Sequence, residues 1–332
     1  MKARRRSSVL VAAVLVAGYC LPGMADVSKE VDPGFRQAIV AGNLTAVKKA
    51  VETGAAIDAP SRSGMTPLML AAQEGQAAIA ALLLEKGAAI DTFHPRAGCT
   101  ALILAAEWLH ADVVKVLLDK GADINALSPN QWNPLLKVAR MELKDAADRA
   151  KQGPMIQQLI AGGADVNAVN AKRRTALHLV AQSGQSDLAR LLVENTADIN
   201  LQDKNGNTPL MLAAEKGHGE VVQLLLDKGA GLSRSHECGC TAMLMAAEAG
   251  HAEIVKTLLN AGSDIHVKNE DGMTALMLAS KNGHLETVHL LLKKGARVNE
   301  MNNEGATARL LALESNQDAV EHVLKDANGR CY

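Results

Sequence analysis

The chain has 332 residues, 48% of them apolar but only 2% aromatic, and a formal net charge of −1. A balance this close to neutral lacks the basic footprint on which nonspecific nucleic-acid binding depends. It also gives no general attraction to anionic lipid, and only the N-terminal run of apolar residues raises the question of a membrane at all.

That run comes first. Lys2, Arg4, Arg5 and Arg6 precede an apolar stretch from Val9 to Ala17, and Leu21-Pro22 breaks it before Gly23-Met24-Ala25. The stretch is shorter than the ~20 residues that span a bilayer. Small residues at the first and third of those last positions suit signal peptidase. The segment 1–25 therefore reads as a cleavable Sec-type signal peptide cut after Ala25, leaving a periplasmic or secreted product with no membrane attachment and a charge of about −5. Ala17-Gly18-Tyr19-Cys20 imitates a lipoprotein box, but Tyr19 stands where a small residue is needed, and the residues after Arg5-Arg6 do not fit twin-arginine export.

After a short linker (26–33) the chain repeats. Thr66, Thr100, Asn133, Thr175, Thr208, Thr241, Thr274 and Thr307 each open an apolar run, at intervals of 34, 33, 42, 33, 33, 33 and 33 residues. Within one unit, Thr208 is placed to cap a helix and Pro209 suits its first turn. Leu210, Leu212, Ala213 and Ala214 then form a short apolar helix ended by Gly217. Val221, Val222, Leu224, Leu225 and Leu226 recur at helical spacing in a second helix, closed by Gly229 before an extended finger. Two short helices cannot bury their apolar faces alone, so each unit needs its neighbours.

The segments Gly64-Met65-Thr66-Pro67-Leu68 and Gly206-Asn207-Thr208-Pro209-Leu210, with the closing Gly121-Ala122-Asp123-Ile124-Asn125, resemble the ankyrin repeat with its period of 33. The resemblance runs over residues 34–325. It implies an all-α ankyrin-repeat solenoid of about nine helix-turn-helix units with finger turns, and irregular capping units at 34–58 and 305–325, ahead of a tail at 326–332. It further implies binding of another protein along the face made by the fingers and first helices. The family's contact positions lie just before the Thr and seven and eight residues after it. On this chain they include Met65, Cys99, Trp132, Arg174, Asn207, Cys240 and Met273 before the cap, and Glu107, Trp108, Arg140 and Met141 after the first helices.

Departures from the rhythm single out candidates. Phe93 lies in a finger with one extra residue, and Trp108 and Trp132 fall on contact positions of consecutive units. Exposed Trp is a typical interface anchor; the blander reading is that Trp108 compensates for Leu109, which replaces a Gly, and that Trp132 packs on the neighbouring insertion. That insertion adds about nine residues to the unit 133–167, within Leu143 to Gln152, before Gly153-Pro154. Its helix formers predict that the first helix of this unit runs about two extra turns and projects from the stack. Lys172-Arg173-Arg174 then puts three cations on one finger, which is either a solvated tip or the match to an acidic patch on a partner.

His110, His218, His251 and His284 occupy one repeat position and read as structural, as do the methionines at Met69, Met211 and Met277. His236-Glu237-Cys238-Gly239-Cys240 could hold a soft metal such as Cu(I) but lacks zinc spacing, so no metal or other cofactor is expected. Cys99, Cys238, Cys240 and Cys331 remain after signal cleavage and are expected as free thiols, with a link from Cys331 to the Cys238 finger left open. No G-x-S-x-G, H-E-x-x-H or phosphate-cradling loop is present, and Asp145 and Asp148 sit on a helix read as exposed. The chain thus reads as a monomeric, non-enzymatic module that scaffolds, inhibits or protects a periplasmic protein, with a metal- or heme-handling accessory protein as the alternative.

Overall fold

A computed structural model describes residues 31–143, 145–233 and 236–328; the segment 1–25 and Cys331 lie outside the described residues. Among the described residues there are eighteen helices in nine pairs. The first helices of the pairs are α1 (Pro33–Val40), α3 (Pro67–Gln73), α5 (Ala101–Glu107), α7 (Pro134–Ala139), α9 (Ala176–Ser183), α11 (Pro209–Lys216), α13 (Ala242–Glu248), α15 (Ala275–Lys281) and α17 (Ala308–Glu314). The second helices are α2 (Leu44–Glu52), α4 (Ala77–Glu85), α6 (Ala111–Asp119), α8 (Ala146–Ala161), α10 (Ser186–Glu194), α12 (Gly219–Asp227), α14 (Ala252–Asn260), α16 (Leu285–Lys293) and α18 (Asp318–Asn328).

Each first helix starts where its cap dictates. Thr66, Thr100, Asn133, Thr175, Thr208, Thr241, Thr274 and Thr307 all accept the backbone N–H three residues on. The first unit lacks that Thr, and Asp32 does the same work by accepting from the Phe35 N–H with Pro33 behind it. Thr274 Oγ lies 3.3 Å from the Met277 nitrogen. Thr274→Ala is expected to cost about 1 kcal/mol and Thr274→Ser far less, read from the midpoint of urea unfolding.

Stacking supplies the rest. First helices pack on first helices from α1 through α17, second helices on second helices from α2 through α18, and the first row is the more closely packed. The reason is the fully buried Ala pairs, such as Ala71-Ala72 and Ala213-Ala214, which let backbones approach. The second row contributes larger side chains at helical spacing, such as Val113, Val114 and Leu117, or Val221, Val222 and Leu225.

The repeated histidines lock one unit to the last. Nε2 of His110, His218, His251 and His284 donates to the carbonyl oxygen of Gln73, Gln182, Glu215 and Glu248, at 2.8–3.1 Å. The ring lies over the glycine that ends the previous first helix. At Gly217, whose φ is +82°, a Cβ would fall 2.7 Å from the His251 ring, so both backbone and space require glycine.

The insertion departs from expectation. The extra residues lengthen the second helix, not the first: α7 has six residues, whereas α8 has 16 against nine in most other second helices. Gln152, only 1% exposed, sends its Nε2 to the carbonyls of Val138 (2.8 Å) and Met141 (3.1 Å), which satisfies the end of α7 and stops it. Asp145 then caps a new helix by accepting from Ala147 and Asp148, and that helix runs through Gly153-Pro154 without ending. The added turns lie at the end of the stack opposite the fingers, with a cleft of 490 Å3 on the α9–α10 side and one of 370 Å3 on the α5–α6 side.

Candidate partner-binding surface

Finger turns are built alike. The N–H of Ser128, Asn170, Asp203, His236, Asn269 and Asn302 each donates to the carbonyl four residues on, and the same residue's side chain accepts backbone N–H groups within the turn. Adjacent fingers are tied by one rung: Lys204 donates to the Lys172 carbonyl, Glu237 to Asn205, Glu270 to Cys238 and Asn303 to Asp271. Pro95 and Pro129 stand at that donor position in the earlier fingers. Having no N–H, they cannot make the rung, so the Phe93 finger is held less tightly than those of the C-terminal half.

Around this looser finger the candidates separate. Phe93 on the finger and Trp108 at the end of α5 are 45% and 48% exposed. Trp132, in the next finger, is half-buried against the core, and the Arg140 guanidinium folds back along α7 to sit 4.9 Å from its ring centroid, a cation–π contact. Glu107 on α5 pairs with Lys137 on α7 at 3.1 Å. Lys137 escapes the sequence reading, although a signal exists: the other units carry Leu70, Leu104, Leu179, Leu212, Met245, Leu278 and Leu311 at that place. This pair ties α5, which ends at Trp108, to α7, which is flanked by Trp132 and Arg140, and these residues make up the candidate patch. Met141 lies at the turn end, half-buried, its carbonyl taken by Gln152 and Gln185.

The three-cation finger splits. Lys172 and Arg173 are exposed, and Arg173 holds a φ of +56° where most fingers use glycine. Arg174 turns inward. Its Nε donates to Asp203 Oδ2 at 2.9 Å and its Nη1 to Gln182 at 2.9 Å. Burial works against the Asp203 charge, but Arg174 and the N–H groups of Asn207 and Asn205 hold its carboxyl below the usual range. The position before the cap is likewise closed: Met65, Cys99, Asn207, Cys240 and Met273 are all buried, because that residue sits beneath the turn, facing the next first helix. Among the positions carried over from the family, those at the ends of the first helices are the open ones.

Cysteine is also corrected. Cys238 and Cys240 form a disulfide across Gly239, whereas Cys99 is a buried free thiol. The two Cα atoms lie 5.4 Å apart, with Gly239 between them at a left-handed φ of +73°. Among the described residues no group of three or more His, Cys, Asp or Glu side chains is arranged to hold a metal ion, and no helix is long and apolar enough to cross a membrane.

A family model described as ankyrin repeats in three copies matches residues 35–128, 143–236 and 242–331. The chain belongs to the ankyrin-repeat family. No curated protein matches it. Ankyrin arrays are protein–protein interaction modules and are typically not enzymes. In this ankyrin array the stretch between the first two matched segments contains Trp132, Lys137, Arg140 and Met141, so half of the patch lies where the chain leaves the family pattern.

Proposed function

We propose that this ankyrin array holds one partner protein in the periplasm, as its scaffold, inhibitor or protector, after export directed by residues 1–25. The observation that carries the reading is the surface at α5 and α7. An indole almost half exposed stands beside a half-buried Trp–Arg pair and a Glu–Lys pair that spans two units. Elsewhere the ends of first helices carry Gln73 beside Glu74 or the Glu215–Lys216 pair, and α17 exposes Leu310 and Leu313, but no indole. A large aromatic at low entropic cost, ringed by polar groups, is the composition of an interface centre. The looser Phe93 finger lets the surface adapt, and the exposed Lys172 and Arg173 extend it toward an acidic region of the partner.

The test is capture of periplasmic proteins by the purified chain, followed by titration of the captured protein. Trp108→Ala is expected to weaken the complex by about 2 kcal/mol, roughly 30-fold, far more than it shifts the unfolding midpoint, because about half of its surface is open to solvent. Arg173→Glu is expected to weaken it less and mainly through the association rate. Equal affinity for the Trp108 variant and the unaltered chain moves the interface off this surface.

A further inference from the structure

We propose that the Cys238–Cys240 finger is a thiol–disulfide exchange site, with Cys238 the attacked sulfur and a dithiol the reactant. Three departures from the repeat pattern meet in this one turn. The bridge spans a single residue, so it closes a very short loop, where a crosslink removes little entropy from the unfolded chain. The turn is also complete without it. His236 N–H donates to the Cys240 carbonyl, Glu237 N–H to Asn205 and Glu270 N–H to the Cys238 carbonyl, the bonds that neighbouring fingers make with no cysteine. Stabilising the finger is thus not what the bridge is for.

The second departure is His236. Its place is filled by Asn170, Asp203, Asn269 and Asn302 in other fingers, by Ser128, and by His94 in the enlarged finger, which has no cysteine two residues on, and like them it accepts a turn N–H, here from Cys238 to Nδ1 at 3.2 Å. Unlike the amide and carboxylate groups it brings an imidazole, through the same Nδ1, to 3.3 Å from Cys238 Sγ, where the Cys238 thiol can donate to it in place of the backbone N–H and so be drawn toward the thiolate that exchange requires. The third departure is access. Cys238 is half-buried, more open than Cys240 at 7% exposed, and both line an open groove of 540 Å3 with Asp271, Met273, Lys281 and Glu304.

The step balances. A thiolate of the reactant attacks Cys238 Sγ, the Cys238–Cys240 bond breaks, and its electron pair leaves on Cys240. The reactant's second thiolate then attacks its own sulfur in the mixed disulfide and expels Cys238 as the thiolate beside His236. The reactant dithiol loses two electrons and becomes a disulfide; its two protons end on Cys238 and Cys240. The reverse sequence re-forms the bridge.

The test uses the full chain carrying Cys331→Ser, with thiols assigned by alkylation and peptide mass mapping. Dithiothreitol is expected to open the bridge and release Cys238 and Cys240 with no change in helicity. In Cys240→Ser, Cys238 is expected to form a mixed disulfide with oxidised glutathione at least tenfold faster than Cys99, whose thiol burial pushes up. His236→Asn, the residue of three other fingers, keeps the turn and is expected to slow that reaction about tenfold. A chain purified without reductant that shows no bridge, a bridge that resists dithiothreitol, or a Cys238 rate indifferent to His236→Asn overturns the proposal. None of these outcomes depends on the protein partner proposed above.

Discussion

Acidifying the protein from pH 7 to pH 4.5 will lower its stability by about 2–3 kcal/mol through one side chain, His178. This histidine is fully buried at the third position of α9. Its Nδ1 accepts from the Thr175 backbone N–H at 3.2 Å and meets Thr175 Oγ at 2.8 Å. Its Nε2 donates to the Asn207 carbonyl, 29 residues away, at 3.1 Å. Both nitrogens are engaged in the neutral form. Burial is the main cause that lowers its pKa to about 4, with Arg174 adding to it and Asp203 and the Asn207 carbonyl opposing.

The sign depends on which state takes the proton. Above the ordinary value of 6.5 both states are neutral and pH has no effect through this group. Between 6.5 and about 4 only the unfolded chain is protonated, so stability falls as pH falls and levels off below about 4. Asp203 acts lower down. Its depressed carboxyl stabilises the fold above the usual Asp range and loses that contribution only as pH drops through the folded value, which lies below the window from 7 to 4.5. His178→Met, the residue found at Met211 and Met277 in other units, is expected to fold and to flatten the dependence. Urea unfolding at both pH values checks it; equal slopes for the two proteins dismiss the assignment.

Leu225→Ala is expected to destabilise the array by about 3 kcal/mol. Leu225 is fully buried on α12, and α12 is clasped between α10 and α14. An aliphatic core this dense cannot collapse around the void. Because each unit touches only its neighbours, the damage divides the stack instead of loosening it evenly. Hydrogen exchange is expected to speed first in α10, α12 and α14 while α1–α6 keep their protection. Uniform loss of protection across the chain contradicts this, and means that the nine pairs unfold as one block.

The same neighbour-only logic explains what is legible in the sequence. Thr208 capping Met211, or Asn133 capping Leu136, uses atoms three residues apart, so a rhythm of caps and apolar runs is visible without any tertiary knowledge. The shared placement of His110, His218, His251 and His284 likewise announces a structural role. The insertion shows its place in the sequence but not the helix it extends, because composition around Asp148 and Arg149 favours a helix without saying which one. The buried amide of Gln152, closing α7 across a loop, decides that.

The candidate surface divides along the same line. Trp108 and Phe93 stand out as rare residues, one on a contact position and one in an enlarged finger, and both are exposed in the fold. Arg174 reads with Lys172 and Arg173 as one basic run, but it belongs to Asp203 on the following finger. By itself the sequence determined the period, the caps, the helix pairs and the shortage of aromatics, since each rests on chemistry within a few residues. Only the tertiary structure decided that residues before the caps are covered and that Lys137 on α7 pairs with Glu107 on α5. Those outcomes depend on how one rigid unit docks on the next, and that is not written in any local run of residues.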